Sequence, residues 1–119
     1  FAPTEGIAPG PRGDPGPGIE PAVQLPTRYA LALNQPNPFN PVTTMRYDVP
    51  APGGQVRIDI FDVSGRRVKT LVDAHQAPGT HEVTWNGEGD RGEPVASGVY
   101  FVRMQAATFT RTRKAVLLK

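Results

Sequence analysis

The most informative segment of the 119-residue chain is Val56-Arg57-Ile58-Asp59-Ile60-Phe61-Asp62-Val63-Ser64-Gly65-Arg66-Arg67-Val68. Apolar and charged side chains alternate from Val56 to Ile60, and a period of two is the pattern of a strand with one buried face. Ser64-Gly65 then provides a tight turn, because glycine adopts positive φ without steric cost. The segment therefore predicts a β-hairpin.

Short alternating or apolar runs lie on both sides of this hairpin, and turn residues separate them. The second strand of the hairpin continues to Val72, and five more runs occupy residues 29–33, 43–49, 81–85, 99–104 and 109–118. Seven short strands within about 90 residues predict an all-β domain, either a sandwich or a barrel. The inward positions predict a core that includes Val56, Ile58, Ile60, Val83, Trp85, Tyr100 and Val102.

The first 26 residues differ in composition from the rest, since they contain seven prolines and five glycines. They hold too little apolar surface to offset an ordering entropy of roughly 1–2 kcal/mol per residue. We therefore predict a Pro/Gly-rich linker or tail at residues 1–26 and one domain at residues 27–119. Because the first residue is Phe1 and no leader precedes it, we expect a processed or excised chain whose signal peptide is already removed.

The composition argues against several classes of protein. The chain has no cysteine, so it has no disulfide framework, thiolate metal site or cysteine nucleophile. No apolar run approaches the ~18 residues of a membrane span. The net charge is +2, and residues 27–119 carry 12 basic and 8 acidic residues, a balance too weak to predict nucleic-acid binding.

Residues that could carry catalysis are few. Ser64 and Ser97 both stand beside glycine in predicted turns, without the context of a nucleophile elbow. His75 and His81 have no partners that the spacing identifies, and no glycine-rich loop opens a helix. We therefore predict that the protein is not an enzyme and uses no cofactor.

The segment from residue 86 to residue 93 has two interpretations. Oxygen-bearing side chains recur at Asn86, Glu88 and Asp90, with a further carboxylate at Glu93. Ca²⁺ prefers such ligands, but this segment has neither the length nor the flanking helices of an EF-hand. These four residues are candidates for a calcium site, and a self-bonded turn with no metal is the interpretation that we prefer.

Five blocks, in order, resemble one known family. The sequence Leu-Asn-Gln-Pro-Asn-Pro-Phe-Asn-Pro-Val-Thr at residues 33–43 is similar to the opening motif of type A C-terminal sorting domains of the type IX secretion system. The other four blocks resemble the same domains, which belong with the immunoglobulin-like domains also found in flagellar hook-capping proteins; they lie at residues 56–68, 79–87, 95–101 and 113–119. The resemblance implies a seven-strand immunoglobulin-like β-sandwich.

The resemblance also implies a function and a location. It implies a non-catalytic module that directs a secreted protein through the periplasm to the cell surface or the extracellular space. The implied partners are an outer-membrane translocon and a sortase-like peptidase. An alternative is an extracellular structural subunit that self-assembles through an edge strand or its tail. The residues that would carry sorting or partner binding are Asn37, Pro38, Phe39, Asn40, Pro41, Lys114, Val116, Leu117, Leu118 and Lys119.

The physical role of the first block has two interpretations as well. Its prolines keep the preceding residues out of the α region, so the segment is an extended, kinked approach to the second strand. We expect Phe39 to plug one end of the sandwich, and the segment is either a rigid corner or a contact for a secretion receptor. The three residues Val116, Leu117 and Leu118 should seat the last strand.

Two positions depart from the family pattern, and the chain ends in a basic segment. Gln35 replaces a frequent tyrosine, which removes an aromatic plug, and Ala107-Thr108 replaces a small residue and glycine, which predicts a longer or bulged last hairpin. Arg111, Arg113, Lys114 and Lys119 make the last strand basic. The charges protect an edge strand, or they engage an acidic partner or an anionic surface glycolipid.

Overall fold

A computed structural model describes residues 25–119, in which all of the regular structure is β. The tail predicted for residues 1–26 lies almost entirely outside these residues. Each of the seven predicted runs forms a strand. The strands are β1 (Ala30–Leu31), β2 (Thr43–Val49), β3 (Gly54–Phe61), β4 (Arg67–Gln76), β5 (Gly79–Trp85), β6 (Gly98–Ala106) and β7 (Phe109–Leu117).

The strands form two antiparallel sheets. The smaller has the order β1-β2-β5, and the larger has the order β4-β3-β6-β7. Buried side chains from both sheets form one apolar cluster, which is the arrangement of a β-sandwich. Because β1 contacts β7 and β4 continues directly into β5, each edge of the smaller sheet lies beside an edge of the larger.

Trp85 is fully buried at the centre of an aromatic group. Its ring lies 5.3 Å from the ring of Phe39 and 5.2 Å from that of Tyr100, and the second pair is edge-to-face. The hydroxyl of Tyr100 donates to the carbonyl oxygen of Ala96 at 2.6 Å, so its polar end is satisfied. This burial, with the nearby charge of Asp62, raises the pKa of Tyr100.

The core prediction is confirmed at six of seven positions. Val83 is the exception, since it is only partly buried and packs against the outside of the cluster. Its strand, β5, lies at the edge of the smaller sheet and, within residues 25–119, pairs with β2 alone. An inward side chain on an edge strand has a neighbouring strand on one side only, so it is less buried than an inward side chain on a central strand.

The hairpin between β3 and β4 turns at Asp62–Arg66 as predicted. Asp62 Oδ1 accepts hydrogen bonds from the amide and the hydroxyl of Ser64 and from the amide of Arg66. Gly65 has φ of 86°, a conformation that favours glycine. The Ser64 hydroxyl, followed by the two amides and the charge of Arg66, holds the pKa of Asp62 below its usual range.

The expectation of a longer or bulged last hairpin is wrong. β6 and β7 pair without interruption from Gly98 opposite Leu117 to Ala106 opposite Phe109, which leaves a two-residue turn. Ala107 has a φ of 51° in that turn, in the left-handed region where glycine is usual. The turn therefore closes with a non-glycine residue in this conformation, and the register of the hairpin is uninterrupted.

Candidate functional site

The segment between β1 and β2 connects the two sheets at one end of the sandwich. Gln35 and Thr44 exchange two backbone hydrogen bonds of 2.9 Å, which attaches the segment to the smaller sheet. Four residues later, Phe39 forms a parallel bridge with Leu117 of the larger sheet. The structure thus brings together the two groups of predicted site residues, one at residues 37–41 and the other at residues 114–119.

Asn37 acts on the edge of β7 as a backbone peptide group would. Its Nδ2 donates to the carbonyl oxygen of Lys114 at 3.0 Å, and its Oδ1 accepts from the amide of Val116 at 3.0 Å. A primary amide carries N–H donors on its nitrogen and an acceptor oxygen, so it can replace both the N–H and the C=O of a neighbouring strand. One exposed side chain therefore closes part of an open sheet edge.

Phe39 continues this pairing with its own backbone. Its amide donates to the carbonyl oxygen of Val116, and its carbonyl oxygen accepts from the amide of Leu118, both at 2.9 Å. Its side chain is 2% exposed and packs on Trp85. The burial expected of Phe39 as a plug of the sandwich is confirmed.

A buried polar pair anchors the inner side of the segment, and the sequence argument did not identify it. Asn34 Nδ2 donates to Thr43 Oγ1 at 3.0 Å and to the carbonyl oxygen of Pro36 at 3.2 Å. Thr43 Oγ1 donates to the same carbonyl oxygen at 2.8 Å. Both side chains are almost completely buried. The available signal was a threonine at an inward position of β2, where the alternation calls for an apolar residue.

The remaining residues of the first block face solvent. Pro38, Asn40 and Pro41 are exposed. The carbonyl oxygen of Pro41 lies so close to Gly87 that a Cβ on Gly87 would approach it to 3.2 Å. Pro41 therefore lies against the segment after β5, while Pro38, Asn40 and Pro41 stay exposed to a partner.

The expectation that the side chain of Leu118 helps to seat the last strand is wrong. Leu117 is fully buried and Val116 is half-buried, but Leu118 lies beyond β7 with 52% of its surface exposed. Alternation along β7 explains this, because Ala115 and Leu117 point inward and residue 118 therefore points out. The amide of Lys119 donates to the hydroxyl of Ser97 at 3.0 Å, so the backbone of the last residue is tied to the domain.

The oxygen-bearing residues of the 86–93 segment bond to protein groups. Asn86 Nδ2 donates to Glu88 Oε1 at 3.1 Å, and Glu93 Oε1 accepts from the amide of Arg91 at 3.0 Å. Asp90 instead reaches the edge of β4: its carboxylate accepts from the amide of Thr70 at 3.1 Å. Within residues 25–119 no group of three or more His, Asp or Glu side chains could hold a metal ion.

The last strand lies at the edge of the larger sheet, as the edge-protection interpretation requires. Lys114 is exposed, whereas Arg113 is half-buried and its Nε donates to the carbonyl oxygen of Leu31 at 2.9 Å. Arg113 therefore bonds across to β1 of the other sheet. The described part of the chain contains no helix long and apolar enough to cross a membrane.

Comparison with known proteins identifies the family. Residues 40–109, more than half of the chain, match the model of the FlgD Ig-like domain. The chain therefore belongs to this family, and the seven-strand sandwich is an immunoglobulin-like domain. No curated protein matches the chain.

Two solved structures are similar in fold. Dimeric latent PorU from Porphyromonas gingivalis aligns with a TM-score of 0.62 at 19% identity, over 85% of this chain and 10% of PorU. PorZ from the same organism, described as an essential bacterial surface component of the type-IX secretion system, aligns with a TM-score of 0.50 at 24% identity, over 76% of this chain and 11% of PorZ. The chain thus spans about a tenth of either protein, and the likeness shows the fold.

Proposed function

We propose that the domain is a non-catalytic sorting module that directs a secreted protein through the type IX secretion system. The observation that carries the proposal is the junction of Asn37 and Phe39 with Lys114, Val116 and Leu118. It places two distant parts of the chain, both similar to sorting-domain motifs, on one surface at one end of the sandwich. A receptor could bind both parts of the chain in one contact.

The family and the structural neighbours support the proposal. Both neighbours contain a domain of this fold, and PorZ is described as a component of this secretion system. On this proposal the protein passes through the periplasm, engages an outer-membrane translocon and reaches the cell surface or the medium. A sortase-like peptidase would then cut near the Pro/Gly-rich segment.

The test is the destination of a reporter fused ahead of residue 1. The fusion is expressed in a host that has the type IX system and in an isogenic host that lacks its translocon. We expect reporter at the surface of the first host and in the periplasm of the second. The proposal fails if the reporter has the same location in both hosts.

A second function, a self-assembling extracellular subunit, has one observation in its favour. Among the described strands β5 pairs with β2 alone, and the carbonyl oxygen of Arg46 accepts from the amide of Ala32 on the opposite side of β2. Alternation then directs the N–H and C=O groups of Thr80, Glu82 and Thr84 away from the sheet. A second copy could add a strand there. Sedimentation of the purified chain over a range of concentrations tests this, because a subunit should assemble and a sorting module should stay monomeric.

A further inference from the structure

A groove of about 350 Å³ lies where β1 and β7, from the two sheets, meet at one side of the sandwich. Its lining combines three arginines with an aromatic pair and two apolar residues: Arg28, Arg111, Arg113, Tyr29, Phe109, Ala30 and Leu31. The rings of Tyr29 and Phe109 are stacked with their centroids 6.0 Å apart. Among residues 25–119, no acidic residue lines this groove.

The arginines of β7 occupy positions that the strand pattern assigns to the core. Ala115 and Leu117 point inward and are fully buried, and alternation puts residues 113 and 111 on the same face. Two successive inward positions therefore carry guanidinium groups. Charged inward residues protect an edge strand, but protection alone does not account for Arg28, which reaches the same groove from the segment before β1.

These three arginines also differ from others in their pairing. Arg46, Arg57, Arg66 and Arg67 each form an ion pair with a carboxylate. Within residues 25–119 no carboxylate pairs with Arg28, Arg111 or Arg113, which are gathered in one place. Guanidinium groups gathered with no carboxylate partner among the described residues are suited to bind carboxylate groups of a ligand.

The edge of β7 beside the groove is open. Asn37 and Phe39 cover the outward backbone groups of Lys114, Val116 and Leu118. The same alternation directs the N–H and C=O groups of Thr110 and Thr112 outward, and no described strand pairs with β7 on that side. The segment that contains Asn37 and Phe39 therefore covers the edge of β7 from Leu118 back to Lys114, and the groove begins beyond that point.

We propose that this groove binds an extended acidic peptide, whose backbone pairs with β7 at Thr110 and Thr112. Its carboxylates would meet Arg28 and Arg111, since both are exposed, while Arg113 is partly engaged by Leu31. A peptide fits better than an anionic polysaccharide because its regularly spaced N–H and C=O groups match the open backbone groups of a strand edge. The proposal goes beyond sorting and does not depend on it.

Fluorescence anisotropy with a labelled, capped peptide Glu-Val-Glu-Val-Glu tests the charge requirement. We expect it to bind at least about tenfold more tightly than its Gln-Val-Gln-Val-Gln counterpart, since charge-assisted hydrogen bonds are the stronger ones. The double variant Arg28→Gln, Arg111→Gln should lose about the same factor. Arg91→Gln, which removes an exposed arginine of the 86–93 segment, is the matched control and should bind like wild type.

The backbone requirement is tested on the peptide, so that the protein is left unaltered. Two versions of the acidic peptide carry N-methyl groups on alternate sets of backbone amides. Strand pairing predicts that one version loses binding and the other keeps it. The proposal is overturned if both bind like the parent peptide, if the acidic peptide does not bind below about 1 mM, or if dextran sulfate binds more tightly with the same dependence on Arg28 and Arg111.

Discussion

At the scale of single residues, Asn37 shows how one side chain can complete a sheet. It offers β7 the same donor and acceptor that a neighbouring strand would offer. The bond to Lys114 joins residues 77 positions apart, so it also fixes the end of the chain to the segment before β2. Loss of Asn37 should therefore weaken the domain although its side chain is exposed.

We predict that Asn37→Ala lowers the free energy of unfolding by about 1–2 kcal/mol, because two hydrogen bonds to a sheet edge are lost and water replaces them incompletely. Asn40→Ala is the matched control, since Asn40 is exposed in the same segment, and it should change stability by less than about 0.5 kcal/mol. Urea unfolding of the three proteins measures both values. Equal stabilities for the two variants would refute the role given to Asn37.

Trp85 is the residue whose loss should cost most. It is fully buried between Phe39 and Tyr100, and its Nε1 donates to the carbonyl oxygen of Glu88 at 2.9 Å. Trp85→Ala should cost about 3–5 kcal/mol through the cavity that it leaves. That is a large part of the roughly 5–15 kcal/mol by which a domain is stable. If urea unfolding shows that the free energy of unfolding falls by less than about 1 kcal/mol, the assignment of Trp85 to the core is contradicted.

The sequence predicted such core residues well and the polar contacts poorly, for a physical reason. Burial of Trp85 follows from alternation within its own strand. The bonds of Asn37 depend instead on which strand lies at the sheet edge, and that is a property of the topology. The same applies to Arg111, whose inward direction follows from its register but whose place beside Arg28 does not.

At the scale of elements, the β3–β4 hairpin carries a pH-dependent contribution. The pKa of Asp62 is lowered in the folded protein, first by the Ser64 hydroxyl. Its contribution is therefore present above the ordinary pKa of 3.8 and is lost as the pH falls through the lower folded value. We predict that wild type melts above Asp62→Asn at pH 6 and that the difference shrinks toward pH 2. Melting curves that stay equally far apart from about pH 6 to pH 2 would contradict this.

The last strand is the element on which both sheets depend. Deleting residues 116–119 removes the partners of Phe39 and of the first residues of β6. We predict a loss of about 3 kcal/mol or more, because buried Leu117 and several ladder bonds disappear together. Deleting Lys119 alone removes one bond to Ser97 and should leave the melting temperature nearly unchanged. Equal melting temperatures for the two deletions would show that β7 does not close the sandwich.

At the scale of the whole molecule, the larger sheet has part of each edge covered by a side chain. Asn37 covers one end of β7, and Asp90 bonds to Thr70 at the edge of β4. The edge of β5 has no such cover in the described residues. The strand order that causes this asymmetry could not be derived from the alternation of side chains. A period of two shows on which face of a strand a residue lies, but it does not show which strands are neighbours.

The central claim is that the C-terminal strand with its attached segment is a sorting signal as well as a structural element. Lys119→Glu separates the two roles, because it reverses an exposed charge and should not change the melting temperature. Arg91→Glu is the same reversal at an exposed position of the 86–93 segment and serves as the control.

The decisive measurement is the fraction of a reporter, fused ahead of residue 1, that reaches the surface of a host with the type IX system. We predict that wild type and Arg91→Glu are exported, that deletion of residues 116–119 traps the reporter in the periplasm, and that Lys119→Glu reduces export at an unchanged melting temperature. Equal export of all four proteins would contradict the sorting function and leave the structural subunit in its place.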